Sequence, residues 1–257
     1  MAASLTIKGL SKSYPAQKDA VPLLVLESMD FHVPAGSIVS IAGLNGSGKT
    51  TLLRIIAGLE SPDTGSMLID EKIKTSSSGR NIGMIFQEVA LLPWRTVRQN
   101  IAVGLELDER PKTELEDLVD DFITAFGLAD YAGKYPKELS GGLRQKVAIA
   151  RTLAPGPGVV LMDEPFSALD CQTREEMLSF LLKVWAKRQD TILFVTHNIE
   201  ESLYLSDQVL VISPKPSRVA EIIPVTMPRP RDKTSLEFNM LRRRIIDVLR
   251  RLSEANP

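Results

Sequence analysis

One cysteine, two histidines and few aromatic residues set the first limits on this 257-residue chain. The lone Cys171 excludes an internal disulfide and a cysteine-cluster metal site, and it fits a reducing compartment. With only His32 and His197, a histidine-rich zinc site has too few ligands. Aromatics amount to 5%, so the core must be assembled chiefly from Leu, Ile and Val. No apolar run approaches the ~18 residues that a membrane-crossing helix needs. The opening residues Met1 to Gly9 lack both a basic start and an apolar signal core, so neither a span nor export by a signal peptide is expected. Charge of one sign is missing as well. The 31 Lys and Arg against 32 Asp and Glu leave a net −1, which argues against nucleic acid as a partner.

What is present is ordinary globular composition, 44% hydrophobic and 25% charged, in a pattern that alternates strands with helices. Ser4 to Lys8 alternates as a half-buried strand, and Leu23–Leu26 and Phe31–Val33 are two further short strand candidates. Ser37 to Ala42 is a β-branched run that stops at Gly43, and Thr50 to Leu59 follows as a helix with Leu52, Leu53, Ile56 and Leu59 on one face. Ser61 to Gly79 is mostly polar around a short Met67–Ile69 strand, and Gly83–Phe86 is another strand. From about Leu91 to Leu153 the periodicity becomes helical, after which Val159–Met162, Ile192–Val195 and Gln208–Ile212 resume the strands. The tail carries five prolines from Pro214 to Pro230, then a helix on which Leu241, Ile245, Leu249 and Leu252 share a face.

Gly43-Leu44-Asn45-Gly46-Ser47-Gly48-Lys49-Thr50, followed by Thr51, matches the phosphate-loop pattern G-x-x-x-x-G-K-[ST]. A predicted strand precedes it and a predicted helix follows it, the context that separates a phosphate loop from a glycine-rich turn. Glycines let the backbone aim its N–H groups at phosphate oxygens, and the helix N-terminus adds partial positive charge. Lys49 is suited to the β/γ-phosphates and the Thr50 hydroxyl to Mg²⁺. A nucleoside triphosphate is the expected ligand. The apolar strand Val159–Met162 ends in Asp163-Glu164. A solvated acidic pair ends many strands, but beside a phosphate loop Asp163 suits the Mg²⁺ shell and Glu164 suits the base that activates water.

Leu139-Ser140-Gly141-Gly142 then identifies a resemblance to the ATP-binding cassette (ABC) ATPase family, whose signature is LSGG. The resemblance covers most of the chain in order. It implies an α/β fold: a P-loop NTPase (RecA-like) core with an antiparallel β subdomain and an inserted α-helical subdomain. It implies that Tyr14 stacks on adenine, that Gln87 touches Mg²⁺ and senses the membrane partner, that Ser167–Asp170 is the D-loop, and that His197 is the switch histidine. It also implies a dimer in which Ser140, Gly141 and Gly142 of one copy close on the γ-phosphate of ATP held by the other, and it counts Asp170 of the D-loop among the nucleotide-binding residues. Leu143 stands where many members have Gln and Lys146 where Arg is frequent, which leaves a signature-side ribose contact open.

Leu91-Leu92-Pro93-Trp94-Arg95-Thr96-Val97 with Asn100 is similar to a stretch of the nitrate/sulfonate/taurine importer group, as are Ile212–Pro216 and Met227–Arg231. The implied assembly has a second ATPase subunit, like or unlike this one, transmembrane permease subunits and an extracytoplasmic solute-binding protein. The chain would then sit peripherally on the cytoplasmic face of the membrane and energise uptake of a small solute such as nitrate, a sulfonate, taurine or a related anion. Two other readings compete: a soluble ABC ATPase with an assembly role and no membrane partner, and a P-loop kinase, which Glu164 beside Asp163 disfavours. Residues 1–232 are expected to form the ATPase domain, with the helical subdomain at about 89–155, and 233–257 a helical tail.

Overall fold

The computed structural model describes residues 2–15, 22–73, 82–106 and 110–254. The later part of the polar stretch Ser61–Gly79 therefore lies outside the described residues. Two sheets organise the chain. Strands β1 (Leu5–Tyr14), β2 (Leu23–Val33), β4 (Thr64–Ile69) and β5 (Lys72–Ile73) form an antiparallel sheet in the order β2-β1-β4-β5. Strands β3 (Ile38–Ala42), β6 (Ile82–Ile85), β7 (Val159–Asp163), β8 (Thr191–Val195), β9 (Gln208–Ile212) and β10 (Val219–Pro224) form the second, in the order β10-β9-β3-β8-β7-β6. Within it β9, β3, β8, β7 and β6 are mutually parallel and only β10 runs antiparallel. The fully buried runs Ile38–Ala42, Val159–Asp163 and Thr191–Val195 suit the interior of a parallel sheet covered on both faces.

Helix α1 (Lys49–Ala57) follows the glycine loop and packs with the antiparallel sheet in one core, through Leu52, Leu53, Ile55 and Ile56. Between β6 and β7 lie α2 (Val97–Val103), α3 (Lys112–Ala125), two single 3-10 turns and α4 (Gly141–Leu153), with no strand among the described residues there. They share a second core with α5 (Cys171–Arg188), into which Phe122, Phe126 and Phe166 are buried. After α6 (Ile199–Leu205) and the β9–β10 pair, helix α7 (Leu236–Glu254) closes a third core.

The sequence expectations need three corrections. The two short strand candidates at Leu23–Leu26 and Phe31–Val33 are one strand, β2, whose polar middle carries an irregular pairing with Ser28 at φ +46°. Leu59 does not share the buried face of α1, because Gly58 ends that helix at φ +80° and leaves Leu59 58% exposed. The proline-bearing tail contains a strand that its prolines disguise, since Pro224 is the last residue of β10, on the edge of the sheet. On α7 the expected face does pack inward: Ile245 is buried, and Leu241, Leu249 and Leu252 lie against the same core, with Phe238 and Val248 added to it.

That tail is fastened by two arginines. The buried Arg231 guanidinium donates to the carbonyls of Leu203, Tyr204, Ser206, Val225 and Met227. Arg229 lies over the Trp185 ring at 4.5 Å and pairs with Asp207 at 2.8 Å.

Candidate active site

Parallel pairing of β3, β8, β7 and β6 brings their carboxyl ends to one edge of the sheet, the edge where open α/β folds bind ligands. The register is tight: Ile41 and Asp163 both pair with Val195, and Ile85 pairs with Met162. Four sequence segments far apart in the chain are thereby neighbours. They are the Gly43–Thr50 loop after β3, Gln87 after β6, Asp163-Glu164 at the end of β7, and Thr196-His197 after β8.

The loop is built to receive an anion. Gly46 and Gly48 take φ of +77° and +81°, and a Cβ at Gly48 would meet Val25 Cγ1 at 2.7 Å, so only glycine fits there. Ser47 is 1% exposed, and its hydroxyl has no hydrogen-bond partner among the described residues. Lys49 is 6% exposed, and its ammonium donates to the carbonyls of Gly43 at 3.0 Å and Leu44 at 2.9 Å. Burial pulls the Lys49 pKa down, while Glu164 and Asp163 push it back up. Asn45 to Thr51, Glu164 and Lys215 line a cavity of about 340 Å³ over this loop. A glycine-rich loop at a helix N-terminus, with an ammonium held inside it, suits a polyphosphate.

Lys215 was not among the expected site residues. It arrives because Ser217 bonds to Val25 and Glu27 of β2 and its hydroxyl to the Ser47 carbonyl, which stitches the loop after β9 against the phosphate loop. Nothing local in the sequence announces that contact.

Across the edge, Thr50 Oγ1 donates to Asp163 Oδ1 at 3.3 Å. Asp163 is buried, and burial raises its pKa, with Glu164 adding to the effect and Thr50, Arg54 and Lys49 opposing it. A buried carboxylate beside a hydroxyl, with that one side-chain donor among the described residues, is a fitting donor set for a hard divalent cation. Glu164 sits next to it in the left-handed region at φ +45°, its N–H bonded to the Val195 carbonyl at 2.9 Å. This unusual conformation turns the side chain out of the strand line. One oxygen, Glu164 Oε2, is met by Gln87 Nε2 at 3.3 Å and His197 Nδ1 at 3.2 Å. Gln87 is thus engaged with Glu164 here, and its amide nitrogen is directed there rather than to the Thr50–Asp163 pair.

The other expected residues lie apart from this centre. Tyr14, half-buried at the end of β1, donates its hydroxyl to Glu60 and has the Lys12 ammonium 5.6 Å from its ring centroid. Burial and the Glu60 bond raise its pKa. Ser140 is the N-cap of α4, its hydroxyl accepting from Leu143 N at 3.3 Å, and Gly141 lines a separate cavity with Gln87, Ala168 and Leu169. A Cβ at Gly142 would meet Thr173 Cγ2 at 2.7 Å, which ties the signature to the start of α5. Asp170 caps α5 by accepting from Thr173 N and Thr173 Oγ1, and these bonds hold its carboxyl below the usual range. Leu143 packs half-buried against the helical core, and the Lys146 ammonium lies 4.8 Å from the Phe180 ring centroid.

Trp94 is 69% exposed, on a loop that Asn100 holds rigidly. The fully buried Asn100 amide accepts from Leu92 N and donates to the carbonyls of Leu92, Arg95 and Thr96. Thr96 and Gln99 add a reciprocal cap at the start of α2.

Residues 26–167 match the family model described as ABC transporter. An ABC transporter ATP-binding protein of Methanocaldococcus jannaschii is 44% identical over 97% of this chain and 92% of its own length. An aliphatic sulfonates import ATP-binding protein of Bacillus cereus is 40% identical over 96% of each chain. A nitrate import ATP-binding protein of Synechocystis is 40% identical over 87% of this chain and 83% of its own. Among solved structures, a dimeric ATP-binding cassette in a post-hydrolysis state bound to ADP and Pi superposes with a TM-score of 0.74 at 28% identity, covering 87% of this chain and all of that one. This chain therefore belongs to the ABC transporter family as an ATP-binding cassette subunit with ATPase activity.

Proposed function

We propose that this chain is the energy-supplying subunit of an importer for a small anion, with nitrate, sulfonates and taurine the first candidates. The observation that carries the transport reading is Trp94, a large apolar side chain held out to solvent by Asn100 on the segment that follows Gln87. Exposing such a residue on a rigid loop costs solvation unless a partner covers it. The occupant is the cytoplasmic face of a permease subunit, which places this chain peripherally at the inner side of the membrane, with a solute-binding protein on the far side. The sulfonate and nitrate import relatives support the solute class.

In this reading the Gly43–Thr51 backbone, the Ser47 hydroxyl and Lys49 hold the ATP phosphates, and the Tyr14 ring stacks on the adenine. Thr50, Asp163 and Gln87 hold Mg²⁺, which neutralises charge on the β- and γ-phosphates when bound. Glu164 accepts a proton from the water that attacks the γ-phosphorus as the bond to the ADP oxygen breaks. His197, on the same Glu164 oxygen, orients that carboxylate. Ser140, Gly141 and Gly142 of a second cassette complete the site, with Asp170 at the junction, so that ATP bridges two copies and hydrolysis releases them. Residues 1–232 act as the ATPase domain, 89–155 as its helical subdomain and 233–257 as the tail.

Reconstitution tests the reading. The chain is purified with its permease subunits into liposomes, and ATP hydrolysis is measured with the solute-binding protein and each anion in turn. Stimulation by one of these anions is expected; a stable ATPase that never associates with a permease supports the assembly-factor reading instead.

A further inference from the structure

A buried charged cluster lies behind the reacting edge. Glu201 of α6 is 4% exposed and Thr196 3% exposed, and Thr196 Oγ1 donates to Glu201 Oε2 at 2.6 Å. The same hydroxyl accepts from Asn198 N at 3.0 Å, so it fixes the backbone on both sides of His197. Asn198 in turn caps α6, its side-chain oxygen accepting from Glu200 N and Glu201 N. The second Glu201 oxygen faces Arg174 Nε at 3.5 Å. That guanidinium also donates to the Leu169 carbonyl at 2.8 Å and the Phe166 carbonyl at 3.4 Å. Phe166 and Leu169 flank and belong to the Ser167–Asp170 segment, whose Ala168 and Leu169 line the cavity shared with Gln87 and Gly141.

Hydrogen bonds on either side of the 3.5 Å Arg174–Glu201 ion pair therefore link the Ser167–Asp170 segment through Arg174, Glu201 and Thr196 to the residue beside His197. An ion pair between a buried carboxylate and a half-buried guanidinium adds little net stability, because desolvation offsets its attraction. Its consequence is geometric. We propose that Arg174 and Glu201 are positioning residues that tie the placement of the Ser167–Asp170 segment to that of His197, so that the imidazole meets Glu164 only when that segment is seated. This rests on Glu164 and His197 serving hydrolysis, as proposed above.

The test is steady-state hydrolysis by the full-length chain carrying Glu201→Gln, Arg174→Met or both, with Arg174→Lys as the conservative variant and Glu164→Gln run beside them. Glu201→Gln is isosteric and keeps a carbonyl to accept from Thr196. Each single variant is expected to lower kcat about tenfold to a hundredfold, with the KM for ATP within about twofold of wild type. The double variant should be no worse than either single one, and Arg174→Lys should recover part of the loss. A kcat within about twofold of wild type in both single variants overturns the relay. So does a loss that is additive in the double variant, or one that disappears when the assay is run well below each variant's melting temperature. If Glu164→Gln itself keeps wild-type turnover, the hydrolytic reading fails first; if Glu164→Gln is dead and the relay variants are active, only the relay fails.

Discussion

His197 Nδ1 and Gln87 Nε2 converge on a single oxygen of Glu164, from 3.2 Å and 3.3 Å. The two donors come from the ends of β8 and β6, on either side of β7, so the sheet order itself brackets the carboxylate. Glutamine at position 164 keeps the shape and loses the basic oxygen. Glu164→Gln should reduce ATP turnover by about 10²–10⁴-fold while ATP binding is retained, measured by phosphate release and by nucleotide titration. Wild-type turnover in that variant removes Glu164 from the chemistry.

Tyr14 separates two roles of one side chain. Its ring is the proposed adenine platform, and its hydroxyl is committed to Glu60. Loss of stacking in Tyr14→Ala should cost about 1–3 kcal/mol of nucleotide affinity, a rise in KM of roughly fivefold to a hundredfold. Tyr14→Phe keeps the ring and gives up about 1 kcal/mol of stability with KM unchanged. Equal KM values in the two variants would show that adenine binds elsewhere.

The Trp94 loop makes a prediction about assembly. Trp94→Ala should leave hydrolysis by the isolated chain unchanged and abolish co-purification with the permease. Asn100→Ala strands the buried groups of Leu92, Arg95 and Thr96, a loss of about 2–4 kcal/mol, seen as a lower urea midpoint. Because Trp94 and Trp185 are the two tryptophans, fluorescence of the Trp185→Phe background reports directly on Trp94.

Acid stability should depend on Asp170. Its hydrogen bonds to Thr173 hold its folded pKa below the unfolded value, so the unfolded chain binds more protons between the two and stability rises with pH through that window. The contribution is complete above the ordinary carboxylate range and is lost as pH falls through the folded value. Asp170→Ala should flatten the acid side of a plot of Tm against pH; an unchanged slope would show that the cap does not titrate as described.

Arg231 is the strongest fastening of the tail. Replacing it with Leu removes a donor from five carbonyls, four of them in buried contacts, and a loss of about 3 kcal/mol is expected. For a chain of this size that is a fall in Tm of roughly 6–12 °C.

Much of the site was legible because its chemistry is written in contiguous motifs. The glycine loop, Asp163-Glu164 and Ser140–Gly142 each carry their spacing with them, and strand–helix alternation predicts the parallel core. What escaped depends on contacts between segments distant in sequence. Lys215 reaches the cavity only because Ser217 bonds to Ser47, and Arg174 meets Glu201 only because α5 packs on α6. Leu59 leaves the buried face because the apolar periodicity continues past Gly58 while the helix does not. The strand ending at Pro224 was hidden by the residue that usually marks a loop.

Two of the three hydrogens of the Lys49 ammonium are already taken by the carbonyls of its own loop. In the role proposed for Lys49, an arriving polyphosphate trades partners with this ammonium. The loop keeps its shape while waiting, and the gain on capture is the difference between two good sets of bonds. Such an exchange permits prompt release of spent nucleotide, which a cycling motor requires as much as it requires capture.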